Sequence, residues 1–195
     1  MVRSFPLKSS FFLRLLVLLL VATTPLLSGC GSSEPDYIKA AKKHQEEQKV
    51  KDLAAIQEWL TTNNYSGSQV QTTESGISIV TLEAGTGPAV VKGKTLQVQY
   101  IGKLLDGTKF DSSFDNGSVC GCFSFAVGAG GVIPGWEEAV LLMKAAGNSQ
   151  DGKGDEKGDH KLVLIPSYLA YGAAPRGNIP ADSPLVFDMQ LLSQR

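Results

Sequence analysis

One short amphipathic helix, in the middle of a run of predicted strands, constrains the fold of this chain most. Pro134 and Gly135 interrupt the extended pattern, and apolar residues then follow at helical spacing. These residues are Trp136, Ala139, Val140 and Met143. Glu137 and Glu138 lie in the first turn, where the helix dipole favours negative charge, and Gly147 is predicted to follow the C-terminus. A tryptophan in the first turn of so short a helix closes one end of a hydrophobic layer, where it can form the floor of a cavity.

Alternating apolar residues predict strands on both sides of this helix. Leu96, Val98 and Tyr100 alternate with two glutamines, which is the period-two pattern of a strand with one wet face. Similar patterns predict strands at 77–82, 123–127, 161–165 and 185–191. The Asp106-Gly107 pair predicts a hairpin turn. The predicted fold class is therefore α+β, an antiparallel sheet whose apolar face is covered by the short helix.

A second helix is predicted over residues 36–62, which are rich in Lys, Glu, Gln and Ala and contain no glycine or proline. Only its second half has an apolar stripe, at Val50, Leu53, Ile56 or Gln57, and Leu60, with Trp59 beside it. The first half is polar all round, which is typical of a solvated spacer or a marginal helix. We therefore predict an N-terminal helical spacer and a monomeric protein, with dimerisation through this helix as the alternative.

The first thirty residues have the pattern of a secretory signal. Basic residues lead, an unbroken apolar run covers 15–22, and a short exit ends in Leu-Ser-Gly-Cys at 27–30. The apolar run is too short to span a bilayer, which needs about 20 residues, and the order of the three parts matches a signal peptide.

The last four residues of this segment resemble the bacterial lipobox, in which the cysteine is acylated before cleavage ahead of it. The resemblance implies a lipoprotein signal peptide at 1–29 and a lipid-bearing, palmitate-type Cys30 that anchors the chain outside the cytoplasm. Gly31 after the cysteine favours the outer membrane of the cell envelope. The alternative is an ordinary signal peptide with an incidental cysteine.

Net charge and length limit which partners the chain after residue 30 can have and how many domains it can form. A formal net charge of −1, without a basic stripe, argues against a nucleic-acid partner. The remaining chain suffices for one domain and a tail, and we place the spacer and helix at 30–70 and the domain at 71–195. Within the domain, 148–160 has no apolar residue and is predicted to be a mobile surface insertion. Its aspartates do not fit a calcium loop, because Glu156 stands where a glycine is required, so no metal is predicted.

Five motifs occur in order along the predicted strands and helix. They are VQYIG at 98–102, GTKFDSS at 107–113, VIPGWEE at 132–138, LAYG at 169–172 and PLVFD at 184–188. Each motif alone is weak, but five in this order are specific. From about Gly76 to the C-terminus, the chain resembles the FKBP-type peptidyl-prolyl cis–trans isomerases. The resemblance implies a twisted antiparallel sheet wrapped around one short helix, with a pocket between them.

The resemblance also implies which residues form the site. The positions implied to be catalytic are Tyr100, Asp111, Ile133 and Tyr171. The positions implied to bind substrate are Phe110, Phe123, Val132, Trp136, Ile179 and Phe187. In the family the Trp136 position lies under the proline ring, and the backbone N–H at Ile133 fixes a substrate carbonyl. The implied partners are proline-containing polypeptides and the macrolide inhibitors of the family, without a cofactor.

The chemistry of such a site requires neither a nucleophile nor a metal. The obstacle to rotation is amide resonance, with a barrier of ~18–20 kcal/mol, so the uncatalysed event takes tens of seconds or longer. A dry aromatic pocket disfavours the planar, more polar amide, and placed donors bind the twisted one better. The sequence shows no Ser-His-Asp arrangement, and His44 and His160 are both predicted to be surface residues.

The predicted function is therefore acceleration of Xaa-Pro bond rotation in extracytoplasmic protein folding. The alternative is a non-catalytic peptide-binding module or holdase chaperone on the same fold. A third hypothesis rests on Cys120 and Cys122, which depart from the family pattern and flank a single glycine. They can form a strained disulfide, two free thiols or a redox pair, and the last would make the chain a thiol–disulfide enzyme.

Overall fold

The computed structural model describes residues 34–115, 117–146 and 156–195, and residues 36–195 form one unit. The helices in this part of the chain are α1 (Asp36–Thr62) and α2 (Pro134–Val140). The strands are β1 (Val70–Thr72), β2 (Ser78–Glu83), β3 (Thr95–Leu104), β4 (Lys109–Ser112), β5 (Phe123–Ala126), β6 (His160–Ile165) and β7 (Leu185–Gln194). The predicted signal peptide and lipidation site at Cys30 lie outside the described residues.

The seven strands of the described chain pair antiparallel in one sheet, in the order β1-β2-β6-β7-β3-β4, with β5 beside β3. One edge of β3 pairs with β7 along most of its length. The other edge pairs with β5 over 95–98 and with β4 over 101–103. The Asp106-Gly107 turn joins β3 to β4, and the Asp106 carboxylate accepts the Thr108 N–H at 2.8 Å. The predicted α+β class, an antiparallel sheet around a short helix, is confirmed.

Alternating side chains divide the sheet between two hydrophobic layers. Along β6, Val163 and Ile165 join the main core with α2, whereas Leu162 and Leu164 join a second cluster with α1. The second cluster is completed by Ile56, Leu60, Val80 and Val186. The helix predicted to be a spacer therefore packs on the outer face of the sheet along its second half.

The bounds predicted for α1 are confirmed, but its buried face differs from the predicted stripe. Val50 is 70% exposed, whereas Asp52, Ile56 and Leu60 are each at most 2% exposed. These three residues follow one another at i, i+4 and i+8, so they lie on one side of the helix. A polar residue occupies the first of these positions because its hydrogen-bond partners lie far away in the sequence, where periodicity cannot show them.

The central helix is shorter than predicted. It begins with Pro134 at its first position, which suits the fixed backbone of proline, and ends at Val140. Two tighter bonds then follow, from Leu142 N–H to the Ala139 carbonyl and from Met143 N–H to the Val140 carbonyl. Met143 nevertheless stays buried, and Gly147, predicted to follow the helix, lies outside the described residues.

Most of the predicted polar insertion lies outside the described residues, but its end is not a solvated loop. Asp159 is 3% exposed, and its carboxylate accepts the Gly85 N–H at 2.6 Å and the Lys144 N–H at 2.7 Å. Lys161 Nζ lies 3.2 Å from the same carboxylate. His160, predicted to be at the surface, begins β6 and is partly buried against Asp188. The prediction is wrong here because a carboxylate that accepts several hydrogen bonds can be buried without apolar neighbours.

Candidate active site

A cavity of about 210 Å³ lies where the inner ends of several strands meet the start of α2. It is lined by Tyr100, Phe110, Asp111, Phe123, Gly131, Val132, Ile133, Trp136, Tyr171 and Phe187. Every residue that the family resemblance assigns to the pocket is in this set, apart from Ile179. Pockets for drug-sized ligands span ~300–1,000 Å³, so this cavity suits one small ring rather than a whole large molecule.

Trp136 forms the floor of the cavity and is 4% exposed. Its indole meets the Tyr100 ring at 4.8 Å and 87°, and the Phe187 ring at 5.1 Å and 86°. These are edge-to-face contacts, which the aromatic quadrupole favours. Trp136 Nε1 is buried and has no acceptor among the described residues. The indole is therefore held by packing in the main core rather than by a hydrogen bond to a described residue.

The wall beside Phe187 depends on a glycine. Phe110 and Phe187 pack edge to face with centroids 5.7 Å apart. A Cβ built at Gly102 would lie 2.7 Å from the Phe110 ring and 3.0 Å from the Phe187 ring. Because real side chains do not approach so closely, β3 requires glycine at this position for both rings to reach the cavity.

One polar pair stands at the rim of the cavity. The Tyr100 hydroxyl donates to Asp111 Oδ2 at 2.7 Å, and Asp111 Oδ1 accepts the Ser112 N–H at 2.8 Å. Burial raises the pKa of Tyr100 well above its ordinary value, and the hydrogen bond to the Asp111 carboxylate raises it further. Tyr100 therefore remains a protonated donor throughout the neutral range.

The peptide at Ile133 is fixed by the start of α2. The Ile133 carbonyl accepts the Trp136 N–H at 2.9 Å and the Glu137 N–H at 3.3 Å. The Glu137 carboxylate reaches back to the preceding loop, where it accepts the N–H groups of Gly128 and Gly130. This anchor holds the loop whose last residues line the cavity. The sequence pattern marks Glu137 only as a helix-dipole residue, so it does not predict the anchor.

Tyr171 reaches the cavity from a turn that α1 holds in place. Asp52 is 1% exposed, and its Oδ2 accepts the backbone N–H of Ser167 at 2.7 Å and the Ser167 hydroxyl at 2.6 Å. Gln48 Nε2 donates to Asp52 Oδ1 at 2.7 Å. Four residues after Ser167, the Tyr171 ring lies 5.0 Å from the Arg176 guanidinium. We call this contact between Asp52 of α1 and the Ser167 turn the junction. No local sequence pattern distinguishes Asp52, so the sequence does not predict the junction.

Two buried apolar residues, Ile179 and Phe125, do not line the cavity. Ile179 is 5% exposed in the main core cluster, because its loop folds back through paired hydrogen bonds with Arg176. The structure thus does not bring Ile179 to the cavity wall. Phe125 is 6% exposed and packs behind the floor, with its ring 5.8 Å from Trp136.

Known proteins match this chain over the same region. The family model of the FKBP-type peptidyl-prolyl cis-trans isomerases matches residues 87–192. The FKBP-type isomerase FkpA of Aeromonas hydrophila is 40% identical over 124 residues, which are 64% of this chain and 40% of that protein. FK506-binding protein 2 of Yarrowia lipolytica is 41% identical over 103 residues, which are 52% of this chain and 61% of that protein.

Solved structures agree on the fold. The crystal structure of FkpA from Escherichia coli superposes with a TM-score of 0.57 and 30% identity, covering 80% of this chain and 62% of that one. The crystal structure of AtFKBP13 superposes with a TM-score of 0.54 and 31% identity, covering 65% of this chain and 98% of that one. The match spans 40% of the Aeromonas protein and 61% of the Yarrowia protein. The family model covers more than half of the residues of this chain, so the chain belongs to the FKBP-type peptidyl-prolyl cis–trans isomerase family.

Proposed function

We propose that this chain catalyses cis–trans isomerisation of Xaa-Pro peptide bonds. The observation that carries the proposal is a small aromatic cavity with a buried indole floor and a polar pair at its rim. A cavity of this size accepts a pyrrolidine ring, and nothing reactive is needed inside it. The residues implied to be catalytic by the family resemblance, Tyr100, Asp111, Ile133 and Tyr171, all lie on its lining.

Catalysis follows from differential binding. The proline ring of the substrate lies on the Trp136 indole, which excludes water from the amide that rotates. A planar amide is more polar than a twisted one, so a dry aromatic surface raises the planar state relative to the transition state. The Ile133 N–H donates to a substrate carbonyl and holds the chain on one side of the rotating bond. The protonated Tyr100 hydroxyl donates to the Asp111 carboxylate and fixes its position at the rim of the cavity.

The enzyme acts outside the cytoplasm, tethered by a lipid on Cys30. This part of the proposal is supported by the Leu-Ser-Gly-Cys sequence at 27–30 and by the basic and apolar segments that precede it. Intact-mass analysis of the membrane-extracted protein tests it: a diacylated or triacylated N-terminal cysteine is expected, whereas an unmodified Cys30 or cleavage elsewhere contradicts it. Among the described residues no helix is long and apolar enough to cross a membrane. The prediction of a monomer stays a prediction, and light scattering of the purified protein tests it.

A protease-coupled assay on a Xaa-Pro peptide tests the isomerase proposal. The purified protein should raise the rate above the thermal background, and FK506 should suppress that increase, since one matched relative is an FK506-binding protein. No rate above background contradicts the proposal. Peptide binding without acceleration would identify the alternative, a binding module or holdase.

A matched pair of variants separates the cavity from the core. Trp136→Ala and Phe125→Ala each remove a buried aromatic side chain, and each should lower stability by about 3–5 kcal/mol. Of the two residues, only Trp136 lines the cavity. At a temperature where both variants are folded, Trp136→Ala should lose more activity than Phe125→Ala. The reverse order would refute the assignment of the floor.

A further inference from the structure

The Cys120–Cys122 disulfide closes too small a ring to stabilise the fold much. The two sulfurs are bonded across a single residue, Gly121. A disulfide that closes so small a ring restricts the unfolded chain far less than one that closes a long loop. Gly121 has φ +56°, and a Cβ there would lie 2.7 Å from the Phe114 ring. Glycine is therefore required between the two cysteines, and their bond contributes little to stability.

The two sulfurs differ in accessibility. Cys120 is exposed, whereas Cys122 is 8% exposed. Disulfide exchange requires access of an incoming thiolate to the sulfur that it attacks, so Cys120 is the one within reach. Ser118 Oγ lies 3.0 Å from Cys120 Sγ, and its hydroxyl is the donor because a disulfide sulfur carries no proton. Once the bond opens, the same hydroxyl can stabilise a thiolate on Cys120.

The cysteine pair is next in sequence to a residue of the cavity wall. Cys122 directly precedes Phe123, which lines the cavity wall, and Gln99 on β3 donates to the Cys120 carbonyl at 2.8 Å. Phe114 and Val119, on the same loop, are exposed apolar side chains. A polypeptide held in the cavity by a proline therefore has neighbouring residues close to an exposed, apolar loop that carries a disulfide.

We propose that Cys120 and Cys122 form a thiol–disulfide exchange site that passes its disulfide to cysteine-containing client polypeptides. A client thiolate attacks Cys120 Sγ, a client–Cys120 disulfide forms, and the Cys120–Cys122 bond breaks with its electron pair on Cys122, which takes a proton from water. A second client thiolate then attacks the client sulfur and expels Cys120. The client is oxidised by two electrons, the pair is reduced to two thiols, and a low-molecular-weight disulfide restores it. This activity goes beyond the proposed isomerisation.

Glutathione is the probe for the exchange step. The full-length protein is incubated with excess reduced glutathione, quenched with an alkylating agent and digested with trypsin, and the peptide that carries both cysteines but not Cys30 is analysed by mass spectrometry. The wild-type pair should open. Cys122→Ser should then form a mixed disulfide with oxidised glutathione at least about tenfold faster than Cys120→Ser, because access controls the rate. Ser118→Ala in the Cys122→Ser background should slow that reaction.

Two outcomes overturn the proposal: a wild-type pair that stays closed in excess glutathione, or equal rates for the two single variants. The first does not depend on any variant being folded. A second arm uses two thiol peptides that differ only in a proline near the cysteine. The proline peptide should exchange faster with wild type, and Trp136→Ala should abolish the difference. If the cavity does not bind proline, this preference disappears while exchange with glutathione persists. If the cavity binds proline without catalysing isomerisation, both persist, so failure of the isomerase proposal and failure of the exchange proposal are distinguishable.

Discussion

The cavity around Trp136 and the junction between α1 and the Ser167 turn differ in whether their buried polar atoms are hydrogen-bonded. In the junction, Asp52 is 1% exposed and accepts hydrogen bonds from the Ser167 N–H, the Ser167 hydroxyl and Gln48 Nε2. In the cavity, Trp136 Nε1 is equally enclosed but has no acceptor among the described residues. An unsatisfied buried donor costs ~1–3 kcal/mol. The junction therefore stabilises the fold, whereas the cavity gives up stability to keep an aromatic floor.

The largest effect should come from breaking the junction. Asp52→Ala removes the acceptor of two Ser167 donors and leaves both buried, so the free energy of unfolding should fall by about 4 kcal/mol. Urea unfolding followed by circular dichroism measures it. Lys51→Ala, an exposed neighbour on the same helix, should change stability by less than about 0.5 kcal/mol. Equal losses in the two variants would show that the Asp52 hydrogen bonds do not stabilise the protein.

Breaking the Tyr100–Asp111 pair at the rim of the cavity should lower activity more than stability. Tyr100→Phe removes the hydroxyl that donates to Asp111 Oδ2 and leaves the Asp111 carboxylate with only the Ser112 N–H as a donor among the described residues. We expect kcat/KM on a Xaa-Pro peptide to fall about tenfold, which corresponds to about 1.4 kcal/mol, while unfolding free energy falls by about 1 kcal/mol. Unchanged kcat/KM would mean that the Tyr100–Asp111 pair is only structural.

The floor should tolerate a smaller ring without losing much stability. Trp136→Phe removes some ring contacts but also removes the unsatisfied indole N–H, and the two effects oppose one another. The net change in unfolding free energy should be less than about 1 kcal/mol. A loss above about 3 kcal/mol in thermal unfolding would show that the indole stabilises the fold as an ordinary core residue does.

The smallest effect concerns pH. Burial, and then Asp111, raises the pKa of Tyr100 in the folded protein above its ordinary value of 10.0. The unfolded chain therefore loses this proton at a lower pH than the folded one, so stability is lost as the pH rises past about 10. Tyr100→Phe should make that alkaline decline shallower, as measured by unfolding free energies from neutral to alkaline pH. An unchanged slope would contradict the raised pKa.

Sequence patterns located the cavity better than the junction. Apart from Phe123, the aromatic residues of the cavity lie in the five ordered motifs. Nine of the ten positions assigned by the family resemblance line the cavity, and Ile179 is the exception. The bounds of α1 also follow from composition. Asp52 could not be found in this way, because Ser167 is 115 residues away and burial of a carboxylate depends on that partner. Asp159 was missed for the same reason, since its donors are Gly85 and Lys144.

The isomerisation rate per folded molecule tests the contrast between the two regions most directly. Leu60→Ala should lower stability by about 3 kcal/mol, because Leu60 is 2% exposed in the cluster between α1 and the outer face of the sheet. The variant should keep kcat/KM within about twofold of wild type. Trp136→Phe should keep its stability and lose about tenfold in kcat/KM, since a smaller floor contacts the proline ring less well. Full activity in Trp136→Phe, together with a large loss in folded Leu60→Ala, would contradict the account.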